Sequence, residues 1–177
     1  LGKSKSPISI IPYVNAITAK DFENKTSITD LEFGGDAKFT IGNSMNLDIT
    51  LNPDFSQVEV DQQITNLTRF EVSLPERRLF FIENSDLFAD FGNNRDSNPF
   101  FSRRIGIAKD ANDNTIENDI IAGVRLSGKV NNNLRVGLLT LQTAEDIENE
   151  IPTVNSAVIT LQQKLFSRSN ISFMIIN

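Results

Sequence analysis

The sequence predicts an all-β protein: an antiparallel meander of about seven strands that forms part of a transmembrane β-barrel and carries one long inserted loop. Apolar and polar residues alternate with period two in successive runs, as they do in strands with one apolar face. Tight turns and long loops also alternate along the chain. No run approaches the roughly 18–20 apolar residues of a transmembrane helix.

The first predicted strand is the β-rich segment from Pro7 to Ala19. Pro12 lies inside this segment and has no backbone N–H to donate to a neighbouring strand. We therefore expect this strand to lie at an edge of the sheet or to start late.

The clearest hairpin follows. From Leu31 to Ile41 the residues Leu, Phe, Gly, Ala, Phe and Ile alternate with polar residues or glycine. The alternation resumes from Met45 to Leu51. Gly42-Asn43-Ser44 supplies the turn, since Gly and Asn tolerate positive φ.

The same alternation predicts two more hairpins downstream. One pairs residues 120–130 with residues 134–141, and the other pairs residues 157–166 with residues 171–176. Asparagines connect the strands of the first, and the second turns at residues 167–170. The central stretch between the hairpins has no such pattern.

Short and long connections alternate, which places all tight turns at one end of the strands. The tight turns are residues 42–44, 131–133 and 167–170, and the long loops are residues 20–29, 53–119 and 144–154. This asymmetry is typical of outer-membrane barrels, with short periplasmic turns and long extracellular loops. A soluble antiparallel sheet with one face on a core would show the same alternation. The single Tyr and the lack of Trp also argue against the aromatic girdle of a barrel.

Composition excludes several kinds of function. The net charge of −6 indicates no nucleic-acid partner, because binding to phosphates needs a basic face. Cys and His are both absent, which removes thiolate nucleophiles and the usual zinc ligands. The sequence therefore predicts no catalytic residue, no metal site and no cofactor. Because the chain begins without Met and stops inside the apolar run 171–177, we expect residues 1–177 to be the first portion of a barrel domain.

Several motifs in the first two thirds of the chain occur together. They are Gly35-Asp-Ala-Lys38, Leu47-Asp-Ile-Thr-Leu-Asn-Pro-Asp-Phe-Ser-Gln-Val-Glu59, Asn66-Leu-Thr-Arg-Phe70, Pro75-Glu-Arg-Arg78, Phe80-Phe-Ile-Glu-Asn84 and Phe100-Phe-Ser-Arg-Arg-Ile-Gly106. Together they resemble a Bacteroidetes-type family of large surface proteins of unknown function. The resemblance covers the chain from about Pro7 to Asn177.

That resemblance implies a plan for the complete protein. A periplasmic module like the family 9 carbohydrate-binding modules would precede an outer-membrane β-barrel, and this chain would supply the opening strands of the barrel. The implied location is the bacterial outer membrane, and the implied partner is its lipid. Residues 60–62 and 72–74 depart from the family pattern. These departures would change the packing of the central loop and not the barrel.

The long loop, residues 53–119, is rich in Phe. It holds eight of the thirteen Phe residues: Phe55, Phe70, Phe80, Phe81, Phe88, Phe91, Phe100 and Phe101. Each Phe gains roughly 1.5–3 kcal/mol only when it is buried. We therefore expect the loop to fold on itself, with part of it in the lumen as a constriction or partial plug. A compact extracellular cap that only stabilises the barrel is the alternative.

The same loop concentrates charge, which makes it the candidate site. Its arginines Arg69, Arg77, Arg78, Arg103 and Arg104 lie among the carboxylates Glu59, Glu71, Glu76, Glu83 and Asp86. One interpretation is a charged eyelet that selects solutes. The other is a set of Arg–carboxylate pairs that tie the loop to inward-facing strand residues such as Glu32, Asp36, Lys38 and Arg125.

The predicted function is passage or binding of a solute at the cell surface, with small molecules derived from saccharides as one candidate class. The alternative is a soluble all-β module that binds carbohydrate or accompanies a glycoside hydrolase. Glu76 and Glu83 would be the carboxylate pair of such a hydrolase, although nothing in the sequence places them the required ~5–10 Å apart.

Overall fold

A computed structural model describes residues 8–21, 26–53, 76, 78–89, 91, 99–111 and 115–177. Its strands are β1 (Ile8–Asp21), β2 (Thr26–Ile41), β3 (Met45–Leu51), β4 (Ile107–Lys109), β5 (Thr115–Glu117), β6 (Ile120–Lys129), β7 (Leu134–Thr143), β8 (Asn155–Phe166) and β9 (Ser169–Ile176). Its helices are α1 (Leu79–Ile82), α2 (Asp86–Ala89) and a 3₁₀ turn (Ser102–Arg104). In this part of the chain, no helix is long and apolar enough to cross a membrane.

Seven strands form one antiparallel sheet in the order β1-β2-β3-β6-β7-β8-β9. The predicted all-β antiparallel meander is therefore confirmed. The strand that contains Pro12 lies at an edge of the sheet, as expected. The described strands form an open sheet and not a closed barrel, so the barrel remains a prediction.

The strands differ from the predicted ones mainly at their ends. β2 starts at Thr26 rather than Leu31, because its first residues pair with the end of β1. The predicted long loop at residues 20–29 is therefore wrong, since β1 continues to Asp21 and only residues 22–25 connect the two strands. The last turn is tighter than predicted, since β9 begins at Ser169. The sequence did not predict the small sheet of β4 and β5, which lies within the long insertion between β3 and β6.

One face of the large sheet is apolar across all seven strands; we call it the apolar face. Its central row, read from β1 to β9 by strand register, is Ile8, Phe39, Leu47, Leu126, Leu138, Ile159 and Ile175. Much of this face is exposed: 64% of Ile8, 63% of Phe33 and 52% of Phe173. Since exposed aliphatic and aromatic groups cost free energy in water, the size of this face calls for an explanation.

The opposite face, here the polar face, carries charges in neighbouring strands. Lys38 of β2 is the register partner of Asp48 in β3, and Asp48 is the partner of Arg125 in β6. Nearer the edge, the hydroxyl of Tyr13 in β1 donates a hydrogen bond of 2.6 Å to the backbone oxygen of Asn52. The Tyr13 ring crosses Gly34, where a Cβ would collide with it.

The hydrophobic core lies between the polar face and the described parts of the insertion. The insertion contributes Phe80, Phe81, Leu87, Phe88, Phe100 and Ile105, and the sheet contributes Ile120, Leu139, Leu141 and Val158. Two glycines of the sheet make room for this packing. A Cβ on Gly137 would lie 2.8 Å from the Phe88 ring, and a Cβ on Gly123 would lie 3.2 Å from the Phe80 ring.

Candidate functional site

The segment of residues 78–89, which contains α1 and α2, is held on the polar face by side-chain contacts; we call it the anchor segment. The first contact is at Glu83, directly after α1. Its carboxylate accepts hydrogen bonds from the ammonium of Lys38 and, over 3.0 Å, from Nδ2 of Asn46. Both donors project from the same face of the sheet. Lys38 pairs with Asp48 on the adjacent strand, and Asn46 lies two residues from Asp48, so the three side chains point the same way.

Arg125 provides the second contact and is only 1% exposed. Its Nε and Nη2 donate to Oδ2 of Asp48 over 3.2 and 2.9 Å, and its Nη1 donates to the backbone oxygen of Glu83 over 2.6 Å. The guanidinium also lies 5.3 Å from the centroid of the Phe80 ring. A buried charge needs such partners, because losing its hydration costs several kcal/mol.

Two further contacts bind the turn between the helices. Nδ2 of Asn84 donates to the hydroxyl of Ser127 over 3.0 Å, and Asn84 has φ of 52°, a conformation that Asn tolerates. Asp86 pairs with Arg135 at 2.6 Å. The hydrogen bond from Arg135 lowers the pKa of the Asp86 carboxyl, which favours the charged pair.

A brace inside the insertion is built on Arg78. Its Nε and Nη2 donate to the two carboxylate oxygens of Glu76, and the guanidinium also donates to the backbone oxygens of Ser102 and Ile105, each over 2.8 Å. The same group lies 4.3 Å from the centroid of the Phe81 ring. It therefore joins the start of the anchor segment to the 3₁₀ turn.

Glu76 is strongly acidic in this brace. Burial by itself would raise the pKa of Glu76. The hydrogen bonds and positive charge of Arg78, together with a hydrogen bond from Ser102, outweigh burial and lower this pKa to about 2. A general acid for glycoside hydrolysis needs a raised pKa instead. The lowered pKa does not suit that acid, and the hydrogen bonds from Arg78 and Ser102 make Glu76 part of the brace.

The structure separates the residues of the predicted charge cluster. Glu83 reaches the polar face, whereas Glu76 and Arg78 bind each other within the insertion. Arg103 and Arg104 lie in the 3₁₀ turn, and the Arg104 guanidinium is 5.9 Å from the centroid of the Phe101 ring. Arg69 and Arg77 lie outside the described residues.

Sequence reasoning missed Asp48, Asn84 and Arg135 as contact residues. Asp48 carried a usable signal, since it occupies a polar position of an alternating strand beside Lys38 and Arg125. Asn84 and Arg135 carried none, because their partners depend on how the insertion lies on the sheet. Among the described residues, no cluster of His, Cys, Asp or Glu could hold a metal ion.

A comparison with protein-family models found a match over most of the chain. The model of a protein family, the Domain of unknown function (DUF5916), matches residues 6–177. No curated protein and no solved structure matched the chain.

Proposed function

We propose that this chain, which belongs to the Domain of unknown function (DUF5916) family, forms part of the wall of a bacterial outer-membrane β-barrel. In this proposal the apolar face meets lipid and the polar face lines a water-filled lumen. The insertion lies in that lumen and limits the passage of a small solute, or helps to bind it. The same proposal includes an upstream module like the family 9 carbohydrate-binding modules and a Bacteroidetes-type host.

The observation that carries the proposal is the uninterrupted apolar row across all seven strands. Its members are exposed or half-buried, while the charged residues Lys38, Asp48 and Arg125 occupy the other face. Lipid-facing strands have this arrangement because acyl chains cover the apolar side and every backbone group pairs within the sheet.

The displacement of the apolar residues along the strands supports the same interpretation. On β2 the run of Leu, Phe, Gly, Ala, Phe and Ile at residues 31–41 is centred on Asp36. The strand register, followed from β2 through β3, β6 and β7, places Ser156 of β8 at the same level as Asp36. On β8 the apolar residues of this face extend from Ala157 to Leu165, with the polar Gln163 among them, and are centred on Leu161. The centre therefore moves by about 17 Å along the strands over roughly 19 Å across the sheet.

That displacement corresponds to strands tilted by about 40° to a level apolar band. The strands of outer-membrane barrels are tilted by roughly 35–45°. A lipid bilayer imposes such a level band on tilted strands.

Single-cysteine labelling of the full-length protein tests the proposal, and this chain has no Cys of its own to interfere. Ser172→Cys and Phe173→Cys make a matched pair, because these neighbours on β9 are both exposed but point to opposite faces. Each variant carries an environment-sensitive fluorophore and is reconstituted in vesicles. We expect lipids with brominated acyl chains to quench the label at residue 173, and aqueous iodide to quench the label at residue 172.

The soluble all-β alternative gives a different result. If the full-length protein dissolves without detergent and iodide quenches both labels equally, the membrane proposal is wrong. A protein that only detergent extracts, and whose migration on a gel changes on heating, supports it.

A further inference from the structure

A cavity of about 240 Å³ opens on the polar face between the first three strands and α1. Its volume corresponds to about eight water molecules, which suits a small organic ligand. The side chains that matter for the argument are Ile11, Asp36, Asp48, Phe80, Ile82 and Glu83.

The apolar part of the lining comes from two separate elements. Ile11 of β1 is 52% exposed and Ile82 of α1 is 44% exposed, although both belong to the polar side of the sheet. Phe80, buried beneath them, completes this surface. An apolar group that entered the cavity would remove part of these side chains from water and would gain about 25 cal/mol for each Å² of apolar area covered.

Two of the three carboxylates that line the cavity form ion pairs with basic side chains. Glu83 pairs with Lys38, and Asp48 pairs with Arg125. Asp36 lines the same cavity, and no hydrogen bond or ion pair to it is found in the described part of the chain. A ligand that brings a positive charge would therefore find an anion whose position the strand already fixes.

We propose that this cavity binds a small organic cation, with its ammonium group at Asp36 and its apolar part against Ile11, Phe80 and Ile82. The inference rests on the proposed function, because a lumen would give such a solute access to the polar face. It narrows the solute class to small organic cations that carry an apolar group. An ammonium–carboxylate hydrogen bond is a strong contact at a partly desolvated site.

Fluorine NMR titrations of the full-length protein in detergent test this proposal with 4-fluorobenzylammonium. The neutral isostere 4-fluorobenzyl alcohol and the anion 4-fluorobenzoate serve as matched probes that lack the positive charge. We expect the ammonium probe to bind at least about tenfold more tightly than the alcohol, because both can donate a hydrogen bond to the Asp36 carboxylate but only the ammonium adds an ion pair. Asp36→Asn should abolish this preference.

Two other variants serve as controls. Asp119→Asn makes the same chemical change at an exposed carboxylate outside the cavity and should keep the preference. Ile82→Ser should weaken the ammonium and alcohol probes alike, because it reduces only the apolar contact. Heat-modifiable migration of each variant on a gel checks that it is folded.

Equal binding of the ammonium and alcohol probes, or a preference that survives Asp36→Asn, overturns the proposal. This outcome is distinguishable from failure of the membrane proposal, which the cysteine labels on β9 decide independently. If the labelling test gives the expected quenching but the ammonium probe shows no preference, the membrane proposal stands and the cation-site proposal is wrong. A soluble protein with the preference has the site without the membrane.

Discussion

Nη1 of Arg125 donates a hydrogen bond of 2.6 Å to the backbone oxygen of Glu83, which lies 42 residues earlier in the chain. The other nitrogens of the same guanidinium bind Asp48 on the neighbouring strand. One buried cation therefore joins two strands of the sheet to the anchor segment. The position of the insertion on the polar face depends on this contact and on the pair between Lys38 and the Glu83 carboxylate.

Replacing Arg125 with Met is expected to destabilise the folded protein strongly. The change leaves the Asp48 carboxylate, 8% exposed, without its partner, and breaking a buried pair in this way costs roughly 3–5 kcal/mol. Urea titration of the full-length protein, followed by gel migration without heating, measures the loss. Arg168→Met is the matched control, because Arg168 lies exposed in the last turn. Equal midpoints for the two variants would contradict the role given to Arg125.

Gly137→Ala should loosen the insertion. The added Cβ would lie 2.5 Å from Oγ1 of Thr160 and 2.8 Å from the Phe88 ring, and such overpacking costs roughly 1–3 kcal/mol. We expect faster trypsin cleavage after Arg103 or Arg104. Gly35→Ala is the control, since its nearest contacts would be ordinary at 3.5 and 3.6 Å. Adding Phe88→Leu to Gly137→Ala should restore part of the resistance, and no restoration would show that the clash with Phe88 is not the cause.

The Glu76–Arg78 brace should fail in acid. Because the folded-state pKa of Glu76 is lowered from 4.5 to about 2, the ionised carboxylate stabilises the brace fully above pH 4.5, and this contribution is lost as the pH falls toward about 2. Pepsin cleavage next to Phe80 or Phe81, divided at each pH by the cleavage rate of an unstructured reference peptide, should rise as the pH falls from 5 to 2.

Glu76→Gln should make that normalised cleavage fast already at pH 5 and nearly independent of pH. Glu148→Gln, which changes an exposed carboxylate in another loop, should leave the wild-type pH profile. A wild-type profile in Glu76→Gln would mean that another group causes the acid sensitivity.

A charge in the middle of the apolar face should block membrane assembly. Leu138 of β7 belongs to the central apolar row, and an Arg at the bilayer midplane costs roughly 2–4 kcal/mol in a barrel strand. We expect Leu138→Arg to abolish the heat-modifiable form. Gln142→Arg, on the same face of the same strand but near the loop end, should assemble almost normally. If the two variants assemble equally well, lipid does not contact this face.

Deleting residues 66–104 from the full-length protein should leave a folded sheet that leaks solute. β3 pairs directly with β6, so the strand ladder does not need the insertion. We expect higher single-channel conductance in planar bilayers than for the intact protein. Deleting residues 147–150, a surface turn of the acidic loop, is the control and should not change conductance. Unchanged conductance after the larger deletion argues against an insertion that restricts the lumen.

The sequence by itself determined the strands and their faces. Alternation from Met45 to Leu51 and from Leu31 to Ile41 assigns each side chain to one side, because neighbouring residues of a strand point to opposite faces. Pro12 indicated an edge strand for an equally local reason, since it removes a backbone donor. Such signals need no knowledge of distant residues.

Only the tertiary structure decided what each charge contacts. Glu76 and Glu83 look alike in the sequence, yet Glu76 binds Arg78 two positions away, whereas Glu83 binds Lys38 across the sheet. The difference arises because β3 pairs with β6 and the insertion then folds back onto the polar face. Contacts between residues far apart in the chain depend on that register and packing, and no local pattern encodes them.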